Sequence, residues 1–382
     1  MYDLILIRYG ELVLKGGNRK QFTNTLKQNI IKIVGEIPRV SFDRMYLSYS
    51  EENLRRLKFV FGISSYSPVR VVKTDITEIK KAALLELKEQ TKTFRLDSHR
   101  NWKGFELDSR QIIQEVATAI FNNRQDIKVS LKEFDQCISI EVRQNETFVF
   151  SENIRGLDGL PVGISGKSLH LISGGIDSPV AALELMKRGV HVDFLSFITP
   201  PHTDQKTVDK VDRIVQLLSN YQGGSKLFQI NYTDLMNYIG LVSDQSYKIN
   251  LMRRSFYRIA SEIAQEGKYL ALSNGENLGQ VASQTMESIM VIASQSKLPV
   301  YRPLLTFNKN ETIKIAEKLG TYQISIEKAN EACELFAPKK PVIKPTFFHA
   351  QKLEEELSEM LNLEKEAIEK HMVLKRFKNK LQ

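Results

Sequence analysis

The sequence has little cysteine and no long hydrophobic run. Cys137 and Cys333 are the two cysteines of 382 residues, and no Cys-x-x-Cys occurs, which excludes a disulfide framework and a cysteine-rich zinc or iron–sulfur site. No apolar stretch approaches the roughly 18 residues that span a bilayer, and Arg8 interrupts the first apolar run, Leu4 to Ile7. We therefore expect a cytoplasmic protein without membrane association.

Two common nucleotide-binding motifs are also missing. No Gly-x-Gly-x-x-Gly is present, which argues against a dinucleotide-binding loop. Gly166-Lys167-Ser168 is similar to the end of a Walker A loop, but Pro161 stands where its first glycine is required. A P-loop NTPase is therefore excluded as well.

The composition is that of an ordinary globular protein with a basic N-terminal part. Hydrophobic residues make up 42% and charged residues 26% of the chain, and this length predicts two or three domains. Of the net charge of +9, most lies in residues 1–100, which carry 19 basic and 11 acidic side chains. A positive surface attracts polyanions, so nucleic acid is a candidate partner.

The order of apolar patterns predicts an α+β part followed by an α/β part. The N-terminal strands are expected at 2–9, 40–49, 68–72, 137–143 and 147–150, and the helices from Phe22 and at 76–89 and 109–121. Turn-forming residues from Arg155 to Gly163 mark the main boundary. Beyond it, strands at 169–172, 190–198, 227–231 and 269–273 alternate with helices at 179–188, 206–219, 249–265 and 280–294. This alternation predicts a parallel sheet, and the charged residues after Thr346 predict a surface helix.

One loop carries the strongest chemical signal. Ser173-Gly174-Gly175-Ile176-Asp177-Ser178 follows the strand at 169–172 and precedes a helix that opens at Pro179. Two glycines allow a tight turn that presents N–H groups, and the helix start favours anions. A capped strand-to-helix turn is the alternative. We interpret the loop as a phosphate-binding site.

Several motifs together resemble one family. The loop and Pro179 resemble the pyrophosphate loop (PP-loop) of the ATP pyrophosphatase superfamily. In the order of the chain, the further matching segments are Ile7–Glu11, Lys15–Arg19, Ser273–Thr285, Arg302–Leu304 and Gly320–Ser325. The whole set is similar to the tRNA 4-thiouridine synthetases (tRNA uracil 4-sulfurtransferases). This resemblance implies a ferredoxin-like domain at 1–60, a THUMP RNA-binding domain at 61–163 and a Rossmann-like PP-loop catalytic domain at 164–382.

The resemblance also implies a reaction. Family members adenylate O4 of uridine 8 in tRNA with ATP and Mg²⁺, then replace that oxygen with persulfide-derived sulfur. A role in thiazole sulfur transfer for thiamine synthesis, known for some longer members, and a homodimer are further expectations. The alternatives are another PP-loop enzyme that adds a nitrogen nucleophile to RNA, and a non-catalytic RNA-binding protein.

Site residues are carried over from the same resemblance, position by position. Asp177 and Cys333 would be the catalytic residues, Cys333 as the sulfur-handling thiol, whereas Cys137 lies in an alternating strand and is interpreted as packing. No metal ligand is assigned. The residues expected to contact the nucleotide are Leu171, Ile172, Ser173, Gly174, Gly175, Asp177, Ser178, Ser196, Phe197, Arg253, Gly275 and Gln284. Without the resemblance, the apolar members would be core residues and Arg253 a solvated surface charge.

One departure concerns sulfur delivery. Longer family members carry a rhodanese-like domain whose cysteine delivers sulfur, and the chain ends at Gln382 without one. The sulfur is therefore expected to come directly from another protein, a cysteine desulfurase.

Overall fold

The structure is a computed structural model that describes residues 1–11, 17–329 and 336–381. The chain divides into two compact units. The first comprises residues 1–23 and 34–159, and the second comprises residues 24–33 and 160–382. Helix α1 (Arg19–Val34) therefore contributes to both units. None of the helices in the described ranges is both long and apolar enough to cross a bilayer.

The first unit is built on one mixed sheet with the strand order β2-β3-β1-β4-β8-β7-β5-β6, and β9 pairs with β4. The strands are β1 (Leu4–Tyr9), β2 (Arg39–Val40), β3 (Arg44–Ser48), β4 (Ile63–Val72), β5 (Thr93–Arg100), β6 (Lys128–Val129), β7 (Gln136–Val142), β8 (Thr147–Phe150) and β9 (Ile154–Arg155). The other helices of the unit are α2 (Glu51–Leu57), α3 (Ile76–Glu86) and α4 (Ser109–Asn123). The predicted α+β class is confirmed.

Alternation along β7 builds the core of this unit. Ile138, Ile140 and Val142 are fully buried and pack with the apolar faces of α3 and α4. Asp108 caps α4 by accepting hydrogen bonds from the backbone of Arg110 and Gln111, so the helix begins at Ser109.

Two expectations for the first unit were wrong. The single strand at 40–49 is two short strands, β2 and β3, which pair antiparallel with each other. Strand β5 was not predicted. It lies parallel to β6 and β7, and its polar residues such as Arg95 and Asp97, which pair with each other at 2.8 Å, mask its period of two.

The second unit contains a six-stranded sheet with the order β14-β13-β10-β11-β12-β15. Its strands are β10 (Lys167–Leu171), β11 (His191–Ile198), β12 (Gly224–Asn231), β13 (Ala271–Ser273), β14 (Val300–Tyr301) and β15 (Met372–Lys378). Its helices are α5 (Asp177–Lys187), α6 (Gln205–Ser219), α7 (Thr233–Ile239), α8 (Lys248–Glu266), α9 (Met286–Ala293), α10 (Lys309–Leu319), α11 (Tyr322–Ser325), α12 (Phe347–Glu356) and α13 (Met360–His371).

The predicted parallel sheet is confirmed, and its topology positions the site. Strand β10 pairs in parallel with β11 on one side and with β13 on the other. In open α/β sheets, a strand whose neighbours on its two sides follow it in the chain marks the switch point where ligands bind, beyond the carboxyl ends of the strands. Leu169, Leu195 and Leu272 are fully buried and join a core that includes α8 and the C-terminal helices.

Two expectations for the second unit are corrected. The helix expected at 280–294 begins only at Met286, because the hydroxyl of Thr285 accepts from the Ser288 N–H and caps it there. The tail is not helical throughout: β15 follows α13 and pairs antiparallel with β12 at the sheet edge. Its three basic residues, Lys375, Arg376 and Lys378, resemble a charged C-terminal helix in composition, and basic side chains also protect sheet edges.

Candidate active site

The pyrophosphate-loop segment, Ser173 to Ser178, is held by its own two serines. The Ser173 N–H donates to Ser178 Oγ at 3.0 Å, and Ser178 Oγ donates to the Ser173 carbonyl at 3.2 Å. The Gly175 N–H lies 3.3 Å from Ser173 Oγ. The Ser178 hydroxyl therefore fixes the turn. The helix after the turn begins at Asp177, two residues earlier than expected.

His170 and Ser273 support the loop through a chain of hydrogen bonds. His170 Nε2 lies 2.9 Å from the Ser178 carbonyl, and its Nδ1 lies 2.9 Å from Ser273 Oγ. Because a carbonyl only accepts, Nε2 carries the proton and Nδ1 accepts from the Ser273 hydroxyl. His170 is fully buried, and burial lowers its pKa to about 4, so the ring is neutral.

Gly275 presses directly against the start of α5. A Cβ atom at this position would lie 2.6 Å from the Ser178 nitrogen and 2.7 Å from its Cα. These are backbone atoms that cannot turn aside, so only glycine permits this close approach. The segment after β13 therefore packs against the amino end of α5, whose first N–H groups have no partner within the helix.

Asp177 is held at the rim of the site by two residues from distant parts of the chain. Lys309 Nζ, at the start of α10, lies 2.8 Å from both Asp177 carboxylate oxygens. Gln280 Nε2 donates to Asp177 Oδ2 at 3.1 Å. Lys309 thus brings a cation beside a loop that is built to receive anions.

The loop, Asp177 and Gly275 line one cleft with a volume of about 270 Å³, and Lys309 and Gln280 adjoin it through Asp177. It lies at the carboxyl ends of β10, β11 and β13, where the switch point predicts a ligand. All twelve residues expected to contact a nucleotide line it: Leu171, Ile172, Ser173, Gly174, Gly175, Asp177, Ser178, Ser196, Phe197, Arg253, Gly275 and Gln284.

One end of the cleft is aromatic. Phe197 and Phe256 stack with ring centroids 3.8 Å apart, and the edge of Tyr232 meets both rings. Ser196 Oγ and Gln284 Oε1 line the same cleft and are buried, and neither has a hydrogen-bond partner among the described residues. Buried polar atoms without partners are costly, so a ligand with polar edges and an apolar face fits this end. The adenosine of ATP has both features.

A buried carboxylate forms one wall of the cleft. Glu276 Oε1 accepts from Arg253 Nη1 at 2.7 Å, and Glu276 Oε2 accepts from Arg302 Nε at 2.7 Å. Burial alone would raise the pKa of Glu276, but the charges of Arg253 and Arg302 outweigh burial and lower it. Glu276 is therefore ionised, and both of its carboxylate oxygens accept hydrogen bonds from arginine.

The residues beside the loop suit a metal ion that is held mainly by substrate phosphates and waters. The described residues contain no group of three His, Cys, Asp or Glu side chains able to hold a metal ion. Mg²⁺ keeps several waters and takes substrate phosphate oxygens readily, with one or two carboxylates. Asp177 is the carboxylate that lies beside the loop.

Of the two cysteines, Cys137 is among the described residues. Cys333 lies outside the described residues. Cys137 is partly buried on β7 and donates to Asp97 Oδ2 at 3.4 Å. Burial, followed by the Asp97 charge, raises the pKa of Cys137 to about 11, which keeps it a thiol near neutral pH. This geometry fits the packing interpretation.

Several site residues were not expected from the sequence: Phe256, Tyr257, Glu276, Arg302 and Lys309. Phe256 and Tyr257 follow Arg253 at spacings of three and four residues, so they share its helix face, and this periodicity could have identified them. Lys309 is 132 residues from Asp177, and no local pattern links such distant positions.

Comparison with known proteins agrees with this geometry. A family model described as "Thiamine biosynthesis protein (ThiI)" matches residues 163–359, a ThiI ferredoxin-like domain matches 4–67, and a THUMP domain matches 73–152. The predicted order of domains is thus confirmed, and the boundaries at residues 60 and 163 stay predictions.

Curated relatives and a solved structure cover nearly the whole chain. A probable tRNA sulfurtransferase from Mycoplasmopsis agalactiae is 54% identical, with 96% of this chain and 97% of that protein covered. One from Lactobacillus johnsonii is 38% identical, with 93% and 91% covered. A 4-thiouridine synthetase, solved as a complex with RNA and bound ATP, is 33% identical with a TM-score of 0.94, covering 99% of this chain and 100% of that chain. The chain therefore belongs to the ThiI family, together with curated relatives that are described as probable tRNA sulfurtransferases.

Proposed function

We propose that this protein is an ATP-dependent tRNA sulfurtransferase that converts uridine 8 of tRNA to 4-thiouridine. The observation that carries the proposal is the cleft itself. It joins an anion-binding loop, the Lys309 cation and an aromatic end with unpartnered polar atoms, in a chain that also matches a THUMP domain. The crystallised relative binds ATP and RNA.

The first step is adenylation of the target base. O4 of uridine attacks the α-phosphorus of ATP, the α–β phosphoanhydride bond breaks, and pyrophosphate leaves with the electron pair. The amino end of α5 and Lys309 stabilise the charge that develops on the leaving pyrophosphate. Mg²⁺, when bound, neutralises phosphate charge, and Asp177 is the carboxylate placed to hold it or its waters.

The second step replaces the activated oxygen. A sulfur nucleophile attacks C4, the C4–O bond breaks, and AMP leaves with the original O4. We assign the sulfur to a persulfide carried by Cys333 and supplied by a cysteine desulfurase in the cytoplasm. The resulting protein–sulfur–base linkage is released when an external thiol reduces its S–S bond. A homodimer and a second role in thiazole sulfur transfer belong to the same proposal.

A reconstitution tests it. Purified protein, ATP, Mg²⁺, unmodified tRNA and a cysteine desulfurase with cysteine should give tRNA-dependent AMP and 4-thiouridine at position 8, detected by nucleoside analysis. AMP formation and base modification without sulfur would favour a PP-loop enzyme that adds nitrogen. Tight tRNA binding without AMP would favour a non-catalytic RNA-binding protein.

A further inference from the structure

One wall of the cleft contains a closed hydrogen-bond network around Glu276. Its carboxylate accepts from Arg253, Arg302 and the Tyr257 hydroxyl, the last at 3.3 Å. The Tyr257 oxygen in turn accepts from Asn274 Nδ2 at 2.7 Å and from Arg302 Nη2 at 3.2 Å. The side chain of Glu276 is only 6% exposed, and both of its carboxylate oxygens are occupied by these donors.

The two arginines of this network have different surroundings. Arg302 uses Nε and Nη2 within the network, and its Nη1 lies 3.4 Å from the Val300 carbonyl. Arg253 is about twice as exposed and lines the cleft. Within the described part of the chain it makes one hydrogen bond, through Nη1 to Glu276. Its Nε and Nη2 donors remain available to a ligand.

We propose that Glu276 is a positioning residue, which orients Arg253 so that its remaining donors meet the phosphates of ATP in the adenylation step. Arg302 and Tyr257 hold the carboxylate in place for this purpose. The proposal rests on the proposed function, because adenylation is the step in which phosphate charge is redistributed. It also explains why one short segment both contacts the loop, through Gly275, and holds the arginine, through Glu276.

The chemistry of an amide distinguishes this role from simple binding. Arg253 and Arg302 donate to different oxygens of Glu276, and in Glu276→Gln one of these positions becomes an NH₂ group, whose N–H bonds oppose those of the arginine on that side. Without the negative charge of Glu276, Arg253 and Arg302 make this wall of the cleft more positive. The variant should therefore bind ATP at least as tightly as the parent does. The orientation of Arg253 is lost, however, and a misplacement of about 1 Å in a catalytic group costs on the order of 100-fold in rate.

A double-mutant cycle with Arg253→Gln tests the proposal. Glu276→Gln should slow single-turnover AMP formation at saturating ATP and tRNA by about 100-fold, while the Kd of ATP stays within about threefold. In the Arg253→Gln background, Glu276→Gln should slow the reaction by less than about threefold, because the arginine that Glu276 orients is no longer present. Additive losses in the double variant, or a Kd for ATP that weakens as much as the rate, would overturn the proposal.

A matched control is the carboxylate of Glu354, whose arginine partners lie on α8 like Arg253. Glu354 also accepts from two arginines, Arg254 and Arg258, but it does not line the cleft. Glu354→Gln should lower the Tm by a comparable amount and leave the AMP rate within about threefold, since its loss acts on packing alone. An equal slowing by Glu354→Gln would assign the effect of Glu276 to general stability.

A milder variant, Tyr257→Phe, tests the proposal if Glu276→Gln does not fold. Tyr257→Phe removes one donor to the carboxylate and should slow AMP formation by about three- to tenfold, again only while Arg253 is present. An equal effect of Tyr257→Phe without Arg253 would overturn the proposal. If the parent protein formed no tRNA-dependent AMP, the proposed function would fail together with the role of Glu276. If the parent is active but the rate losses of Glu276→Gln and Arg253→Gln add in the double variant, only the role of Glu276 is overturned.

Discussion

The two units use their charged residues differently. In the first unit, Arg44 pairs with Glu141 and Arg70 pairs with Glu86, whose side chain is fully buried, so these cations brace the sheet. In the second unit, Lys309 and Arg253 pair with carboxylates at the border of a cleft and keep donors available there. The basic surplus of residues 1–100 thus overstates the cations available to RNA, and the chemistry is concentrated in the second unit. We infer a division of labour between RNA binding in the first unit and adenylation in the second.

The largest effect is expected at Asp177. Asp177→Ala removes the carboxylate that Lys309 and Gln280 contact, so tRNA-dependent AMP formation should fall by at least about 100-fold, while tRNA affinity stays nearly unchanged. The release of labelled AMP and a tRNA-binding titration measure the two quantities. Asp212→Ala is a suitable control. The Asp212 carboxylate also accepts hydrogen bonds from a lysine, Lys375, at 2.8 and 3.0 Å, but it does not line the cleft. Parent-like AMP production by Asp177→Ala would remove this residue from the site.

The next effect separates the two chemical steps. Cys333→Ser should keep tRNA-dependent AMP formation and lose 4-thiouridine formation with a persulfide donor, because adenylation needs no thiol. Free sulfide should partly restore thiolation, since sulfur then need not pass through the protein. Cys137→Ser is the control and should thiolate normally. Full thiolation by Cys333→Ser with the desulfurase would instead support direct attack by sulfide.

A smaller loss is expected from a single methyl group. In Gly275→Ala, the added Cβ meets the backbone of Ser178 and must displace the start of α5. Because positioning errors of about 1 Å cost on the order of 100-fold in rate, we expect a 10- to 100-fold slower AMP formation. Gly17→Ala is the matched control, since a Cβ there meets none of the described residues within 4 Å. A Gly275→Ala variant with the parent's rate would show that the cleft tolerates movement of this helix.

The division of labour also predicts a difference in salt dependence. Raising the salt concentration from 50 to 200 mM should weaken tRNA binding by at least about tenfold through release of counterions. The parent and Asp177→Ala should show the same slope of log Kd against log salt, because the variant lies in the second unit. A steeper slope for Asp177→Ala, in which Lys309 is released to contact phosphates, would place RNA phosphates next to the loop and contradict the division.

The sequence predicted the second unit better than the first, for physical reasons. Strand–helix alternation and the loop after β10 are local patterns, and all twelve expected nucleotide contacts line one cleft. The roles of Lys309 and Glu276 depend on tertiary packing that joins residues 132 and 23 positions apart. Strand β15 was missed because its basic residues follow a charged helix without a break in composition, and its pairing with β12 is decided by the sheet edge.

The smallest effect concerns pH and the support beneath the loop. The pKa of His170 is lowered to about 4 in the folded protein, against about 6.5 in an unfolded chain. The unfolded chain therefore binds more protons between these values, and stability falls as the pH is lowered from 6.5 towards 4. A shift of this size corresponds to about 3 kcal/mol. His170→Asn has no titrating group here, so its free energy of unfolding should fall less steeply over this range than the parent's, as measured by urea denaturation at several pH values. Equal slopes for the two proteins would mean that His170 accepts a proton in the folded state, and that the tautomer assigned from the Ser178 carbonyl and the Ser273 hydroxyl is wrong.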